Sequence, residues 1–175
     1  VMGDEGILYR KIQGETAAAM RRLCTLADVI TPNLTEAAFL LDLPYPGSCN
    51  SQQAEKWTRQ LCKLGPRQSI LTGVCGENGQ LGAAAYDRET GDFYTAFAPQ
   101  EPGSFHGTGD LFASVLLSSL LRERNLPDSL STAVEFTAFC IHRTLELKLN
   151  PLYGVAVEDC LPKLMKALRP ECWRT

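Results

Sequence analysis

No apolar run in this 175-residue chain reaches the roughly 18 residues that a membrane-spanning helix needs. No charged leader with an apolar core opens it either. Charge of one sign is not concentrated anywhere: 17 basic and 20 acidic residues leave a net charge of -3. Without a basic block, neither a nucleic-acid groove nor an anionic membrane surface is an expected partner. The Cys-x-x-Cys spacing is also missing. Seven cysteines stand singly at 24, 49, 62, 75, 140, 160 and 172, an odd number without the pairing of a disulfide framework or a zinc site. That usage fits a reducing cytoplasm, with most thiols acting as small core side chains. Only two histidines occur, His106 and His142, and neither stands in a Ser-His-Asp or Cys-His arrangement. No GxxxxGK[ST] occurs, which excludes a P-loop. An initiator methionine is absent from position 1: the chain begins Val-Met-Gly-Asp, like the end of a buried strand, and the expectation is the later part of a longer protein.

What is present is ordinary globular composition, 45% hydrophobic and 21% charged, enough for a single α/β domain over 1–175 with its own core. Val1-Met2 reads as a strand end and Gly3 to Gly6 as a loop. A helix is expected from Glu15 to Leu26, with Ala18, Ala19, Leu23 and Leu26 on one side. Asp28 to Thr31 reads as a short buried strand, broken by Pro32 and Asn33, after which Thr35 opens a helix. Ser51 is the expected N-cap of a helix from Gln52 to Leu64 that Gly65-Pro66 ends. Ser69 to Gly73 reads as a second parallel strand, and 81–86 with 93–98 as a hairpin around the Asp87–Asp92 turn. Helices follow at 111–122, from Pro127 to about Leu147, and over 157–168. Strands alternating with helices predict an α/β fold with a mainly parallel sheet and an antiparallel hairpin near one edge. In such sheets ligands collect beyond the carboxyl ends of the strands.

Four stretches carry the candidate chemistry. The first is Gly107-Thr108-Gly109-Asp110 ahead of a long uncharged helix. Glycine lets backbone N–H groups converge, and a helix N-terminus adds unpaired donors and partial positive charge, so phosphate oxygens suit the corner. A carboxylate beside a phosphate makes sense as a base that takes a proton from an attacking hydroxyl. The tetrapeptide alone equally fits Thr108 capping a helix and Asp110 complementing its dipole. The second stretch is Thr31-Pro32-Asn33-Leu34-Thr35-Glu36. Asn33 and Glu36, three apart, suit either a hydrated magnesium ion or an N-terminal capping arrangement. Asp4, after a glycine, is a second magnesium-side carboxylate or a turn residue. Thr72-Gly73 is a nucleotide-phosphate contact, with a loop from Gly73 to Gly79 over it, or an ordinary strand end.

Together, and in this order, four segments resemble the pyridoxal kinase family of the ribokinase-like superfamily: VMGDEGILY (1–9), LADVITPNLTEAAFLL (26–41), GPRQSILTG (65–73) and GTGDLFASVLLSSLL (107–121). The resemblance runs over nearly the whole chain. It implies a three-layer ribokinase-like sandwich whose first strands lie outside this chain. It also implies ATP-dependent phosphorylation of the 5′-hydroxymethyl group of pyridoxal, pyridoxamine or pyridoxine. By that resemblance Asp110 is the base, and the N–H groups of Gly107, Thr108 and Gly109 hold the transferring phosphoryl group. Asp4 and Glu36 organise Mg²⁺ largely through water, and Thr31 helps bind a monovalent cation. Asn33, Thr72 and Gly73 face the ATP phosphates, and Tyr9 lies near the substrate. The family further implies a homodimer for the full-length protein. The usual aspartate before Pro-Val-Met is missing, as is the opening half that supplies most pyridine contacts. The nearest rival, hydroxymethylpyrimidine kinase of thiamine synthesis, shares Thr-Pro-Asn but commonly carries cysteine where Asp110 stands. A catalytically silent ATP-binding fragment is the other alternative.

Overall fold

The computed structural model describes residues 2–10 and 14–168. Cys172 therefore lies outside the described residues. The chain divides into two compact units, Val1–Ala96 and Phe97–Thr175.

The first unit opens with a hairpin where a loop is expected. Strands β1 (Gly3–Asp4) and β2 (Ile7–Leu8) pair antiparallel, with Asp4 opposite Ile7. The two-residue connection, Glu5-Gly6, has both φ values positive, at 49° and 79°. This is the turn whose twist matches paired strands. Helix α1 (Gly14–Cys24) packs beside α2 (Leu34–Leu41) and buries Cys24. Its expected apolar row does not go inside: Ala18 and Ala19 are exposed, Leu23 is 56% exposed and Leu26 82%. No described element covers that face. The periodicity was sufficient to predict the helix, but not what would pack on it.

Strand β3 (Val29–Ile30) forms one edge of a four-stranded sheet in the order β3-β4-β5-β6, with β4 over Gln68–Cys75, β5 over Gln80–Asp87 and β6 over Phe93–Pro99. β3 and β4 pair in parallel, and β4 and β5 antiparallel. Helix α3 (Ser51–Cys62) lies against β4 and β5. Ala83, Ala84 and Ala85 are all buried, and since successive side chains alternate, both faces of β5 are covered here. Leu61, Ile70, Leu71 and Val74 fill the core beside them. The Ser69 hydroxyl donates to the Thr58 carbonyl at 2.7 Å, so the polar groups inside this contact are bonded. The cap of α3 is Asn50, not Ser51: its Oδ1 accepts the Gln53 N–H at 2.9 Å. Both residue types cap well, and only the geometry separates adjacent candidates.

β5 and β6 flank the expected turn, which Asp87 organises. Asp87 is buried and accepts from Gln68 Nε2 at 2.6 Å, from the Glu89 N–H at 2.8 Å and from Arg67 at 3.3 Å.

The second unit is helical beyond β6: α4 (Thr108–Leu120), α5 (Leu126–Glu146) and α6 (Val157–Ala167). Asn125 caps α5, with Pro127 in its first turn. Phe112, Val115, Leu116, Leu130, Ala133 and Phe136 are buried. Arg122 and Arg124 donate to the carbonyls of Leu168 and Ala167 at 2.9 and 3.3 Å. That pair holds the end of α6. No described helix is long and apolar enough to cross a membrane.

Candidate functional site

The candidate residues of the first unit gather around the N-terminus of α2. Asn33 is its N-cap: Oδ1 accepts the Glu36 N–H at 2.9 Å, and Glu36 Oε2 accepts the Asn33 N–H at 3.0 Å. This reciprocal capping box is one of the two arrangements that Asn-x-x-Glu spacing allows. The same side chains then reach the β1-β2 hairpin. Glu36 Oε1 accepts the Met2 N–H at 2.6 Å, and Asn33 Nδ2 donates to the Gly3 carbonyl at 2.9 Å. Thr35 adds a third tie, its buried Oγ1 accepting the Gly6 N–H at 2.9 Å. The sequence places Thr35 at the opening of the helix; the helix in fact starts at Leu34 behind the Asn33 cap, and Thr35 serves the hairpin instead. Gly6 two residues beyond Asp4 was the signal for a tight turn needing an external acceptor.

The hairpin so held carries Asp4, exposed at the strand end, and Tyr9, 49% exposed just beyond β2. The Tyr9 phenol is pushed up from its ordinary value by desolvation, then by the charges of Asp4 and Glu36. Asp4, Tyr9, Asn33 and Glu36 thus share one neighbourhood. Among the described residues no group of three or more His, Cys, Asp or Glu side chains gathers as a metal cage. Two carboxylates, one already accepting N–H groups on both oxygens, fit a hydrated magnesium held through its waters rather than by direct ligation.

Thr31 is half-buried just after β3. Pro32 then ties the α2 start to β4: its carbonyl accepts the Thr72 N–H at 3.0 Å. Thr72 and Gly73 do not end their strand. β4 runs on to Cys75 through a bulge, with Thr72 opposite Ala83, Val74 opposite Gly82, and Gly73 at φ 80° between them. A glycine in the left-handed region supplies the extra residue without strain. The segment expected as a loop from Gly73 to Gly79 is instead strand and tight turn, with the Gly76 N–H donating to the Gln80 carbonyl at 2.9 Å.

In the second unit, Gly107 is the N-cap of α4, at φ 80° and ψ 0°, and no side chain caps the helix. Thr108, Gly109 and Asp110 already form its first turn, so the helix starts three residues before the expected Leu111. Only Gly107 uses the left-handed freedom of glycine. Gly109 contributes openness instead: a Cβ at either glycine would meet nothing within 4 Å. The Thr108 hydroxyl donates back to the Phe105 carbonyl at 3.2 Å and does not cap. Asp110 is exposed. His106 lies exposed before the turn, while His142 pairs with Glu101 at 2.7 Å on the surface. That carboxylate pushes the imidazole up from its ordinary value.

A family model described as phosphomethylpyrimidine kinase matches residues 10–153. The chain belongs to that family. Within it, the chain is 27% identical to the pyridoxal kinase PdxY of Rubrobacter xylanophilus over 165 residues, covering 92% of this chain and 55% of that protein. The structure of pyridoxal kinase from Lactobacillus plantarum superposes with a TM-score of 0.84 at 31% identity, over 95% of this chain and 59% of that one. Pyridoxal kinase from Leishmania donovani, in complex with ADP and pyridoxamine, gives 0.78 at 26% identity, over 94% and 55%. The fold is therefore the α/β fold of these family members. The chain spans between 55% and 59% of the lengths of these three proteins.

Proposed function

We propose that this chain supplies the phosphate and magnesium side of an ATP-dependent kinase that phosphorylates the 5′-hydroxymethyl group of a B6 vitamer. One observation carries the reading. The N-terminus of α4 has a left-handed glycine, no side-chain cap, open space at Gly107 and Gly109, and an exposed carboxylate in its first turn. An uncapped helix start presents N–H donors and partial positive charge, which suits an anion. A carboxylate there opposes an anion unless its task is to receive a proton.

In this reading the acceptor hydroxyl gives its proton to Asp110 as its oxygen bonds to the γ-phosphorus, and the bond to the bridging oxygen breaks to release ADP. The amides of Gly107, Thr108 and Gly109 hold the migrating phosphoryl group. Asn33, Thr72 and Gly73 face the nucleotide phosphates, with Thr31 toward a monovalent cation and Tyr9 toward the vitamer. Magnesium, when bound, neutralises phosphate charge; Asp4 and Glu36 hold its waters. Such transfers ask the protein for positioning and charge stabilisation more than covalent work. The ADP and pyridoxamine complex of the Leishmania donovani protein supports the choice of nucleotide and vitamer. The full-length protein is read as a homodimer.

The test is ADP release that depends on both magnesium and vitamer. Asp110→Asn is expected to lower turnover by about 10²–10⁴ while ATP binding persists. Normal turnover by that variant would remove Asp110 from the role of base. The description of the matching family model favours a second reading, phosphorylation of a hydroxymethylpyrimidine. Competition between the two acceptors in the same assay separates them. ATP-dependent thermal stabilisation without product would mark a silent nucleotide-binding piece.

A further inference from the structure

Six cysteines lie among the described residues; five are buried, and Cys75 is exposed. Cys75 is the last residue of β4, and its backbone N–H donates to the Cys49 carbonyl at 2.7 Å. A single N–H···O bond keeps two Cα atoms within roughly 5–6.5 Å of each other, inside the Cα window of about 4.4–6.8 Å that disulfides use. The Cys49 side chain is 2% exposed, and its thiol rests in a weak contact with the Asn50 carbonyl at 3.5 Å. Burial pushes that thiol up to about 11, and the charge of a Cys75 thiolate adds to the shift. An exposed cysteine is thus tied through its backbone directly to a buried one. Redox-responsive cysteines follow this pattern, an accessible thiol beside a resolving partner.

We propose that Cys75 is a site of oxidation by hydroperoxides and that Cys49 resolves it into a disulfide. The Cys75 thiolate attacks the hydroperoxide, the O–O bond breaks, an alcohol or water leaves, and Cys75 becomes a sulfenic acid. The Cys49 sulfur then attacks the Cys75 sulfur. The S–O bond breaks, and the departing hydroxide takes the Cys49 proton as water. Two thiols lose two hydrogens in all, and the hydroperoxide supplies the oxidising equivalents. The bond joins the end of β4, two residues past Gly73, to the segment that leads into the Asn50 cap of α3.

The same molecule contains a contrasting pair. Cys140 on α5 and Cys160 on α6 are close enough that burial, then the neighbouring Cys160 thiol, push the Cys140 thiol up from its ordinary value. The neighbouring Ala156 N–H to Thr144 Oγ1 bond, 2.8 Å, fits the same antiparallel register one turn along. Both of these thiols are buried, so contact without access is expected to leave them reduced.

The experiment treats the reduced 175-residue chain with hydrogen peroxide and reads its intact mass and tryptic map. The expected result is loss of two hydrogens, reversed by dithiothreitol, with peptide 23–56 joined to peptide 68–88. Fragmentation places the bond on Cys49 rather than on Cys24, which shares its peptide. Cys75→Ser is expected to abolish the mass change, and Cys49→Ser to leave a Cys75 sulfenic acid that dimedone traps. No oxidation, a bond to Cys24, a Cys140–Cys160 bond, a disulfide-linked dimer, or Cys75 passing to sulfinic acid with Cys49 present would each overturn the proposal.

Discussion

Two helices begin in opposite ways in this molecule. At the start of α2, every nearby polar group has a use: Asn33 and Glu36 satisfy one another's backbone, then reach out with Thr35 to hold the β1-β2 hairpin. At the start of α4, Gly107 offers no side chain, Thr108 turns away to Phe105, and the space beyond both glycines is open. A helix end that completes its own hydrogen bonds is a structural joint. One that leaves its donors uncapped toward solvent is suited to a ligand. The Asn-x-x-Glu motif is therefore a clasp for the strand end carrying Asp4.

Substitutions sharpen this contrast when ranked by expected effect. Asp110→Asn is the largest, a fall of about 10²–10⁴ in turnover at little cost in melting temperature, because the side chain is exposed. Next comes a control remote from both helix starts. Burial alone pushes the Asp87 carboxyl up, but hydrogen bonds from Gln68, the Glu89 backbone and Arg67 outweigh it and hold it below its ordinary value. Asp87→Asn is expected to cost about 1–3 kcal/mol at neutral pH in a denaturant titration, without changing turnover per folded molecule. Since the folded carboxyl is depressed, its stabilisation exists above the unfolded value of about 3.9 and disappears as pH falls through the folded one. The gap between wild type and variant should therefore close below about pH 4. Third, Asn33→Ala removes the cap and the tie to Gly3, for a loss of about 1–2 kcal/mol in the same titration. Smallest is Gly107→Ala. No neighbour obstructs the methyl group, so the cost is the left-handed backbone alone, about 1 kcal/mol. Were Asn33→Ala neutral in stability while Gly107→Ala unfolded the protein, the assignment of joint and ligand end would be reversed.

Most elements were legible in the sequence because their punctuation is local: Pro32-Asn33 before α2, Pro127 inside the first turn of α5, and the Asp87–Asp92 turn. Their boundaries were less so. Ser51 and Asn50 are equally good caps on paper, and Gly107-Thr108-Gly109 reads as a turn although two of its residues are helical. The hairpin at Gly3–Leu8 escaped because two-residue strands carry no periodic signal; its evidence is Glu5 and Gly6 with positive φ and hydrogen-bond partners, the Thr35 hydroxyl accepting and the Asn33 amide donating, some thirty positions away. At the candidate site, residue types and spacing were readable. Whether Asn33 and Glu36 cap or ligate was not, since both uses demand the same two side chains at the same separation. The bulge at Gly73 likewise depends on the register with β5, which no short motif encodes.

A hairpin of two-residue strands has too little of its own to stay ordered in water. The segment from Gly3 to Leu8 thus owes its order to the opening turn of α2, some thirty positions further along the chain. In hydrogen-exchange measurements the amide of Gly6, bonded to Thr35, should open together with those of Asn33 and Glu36 as one cooperative patch.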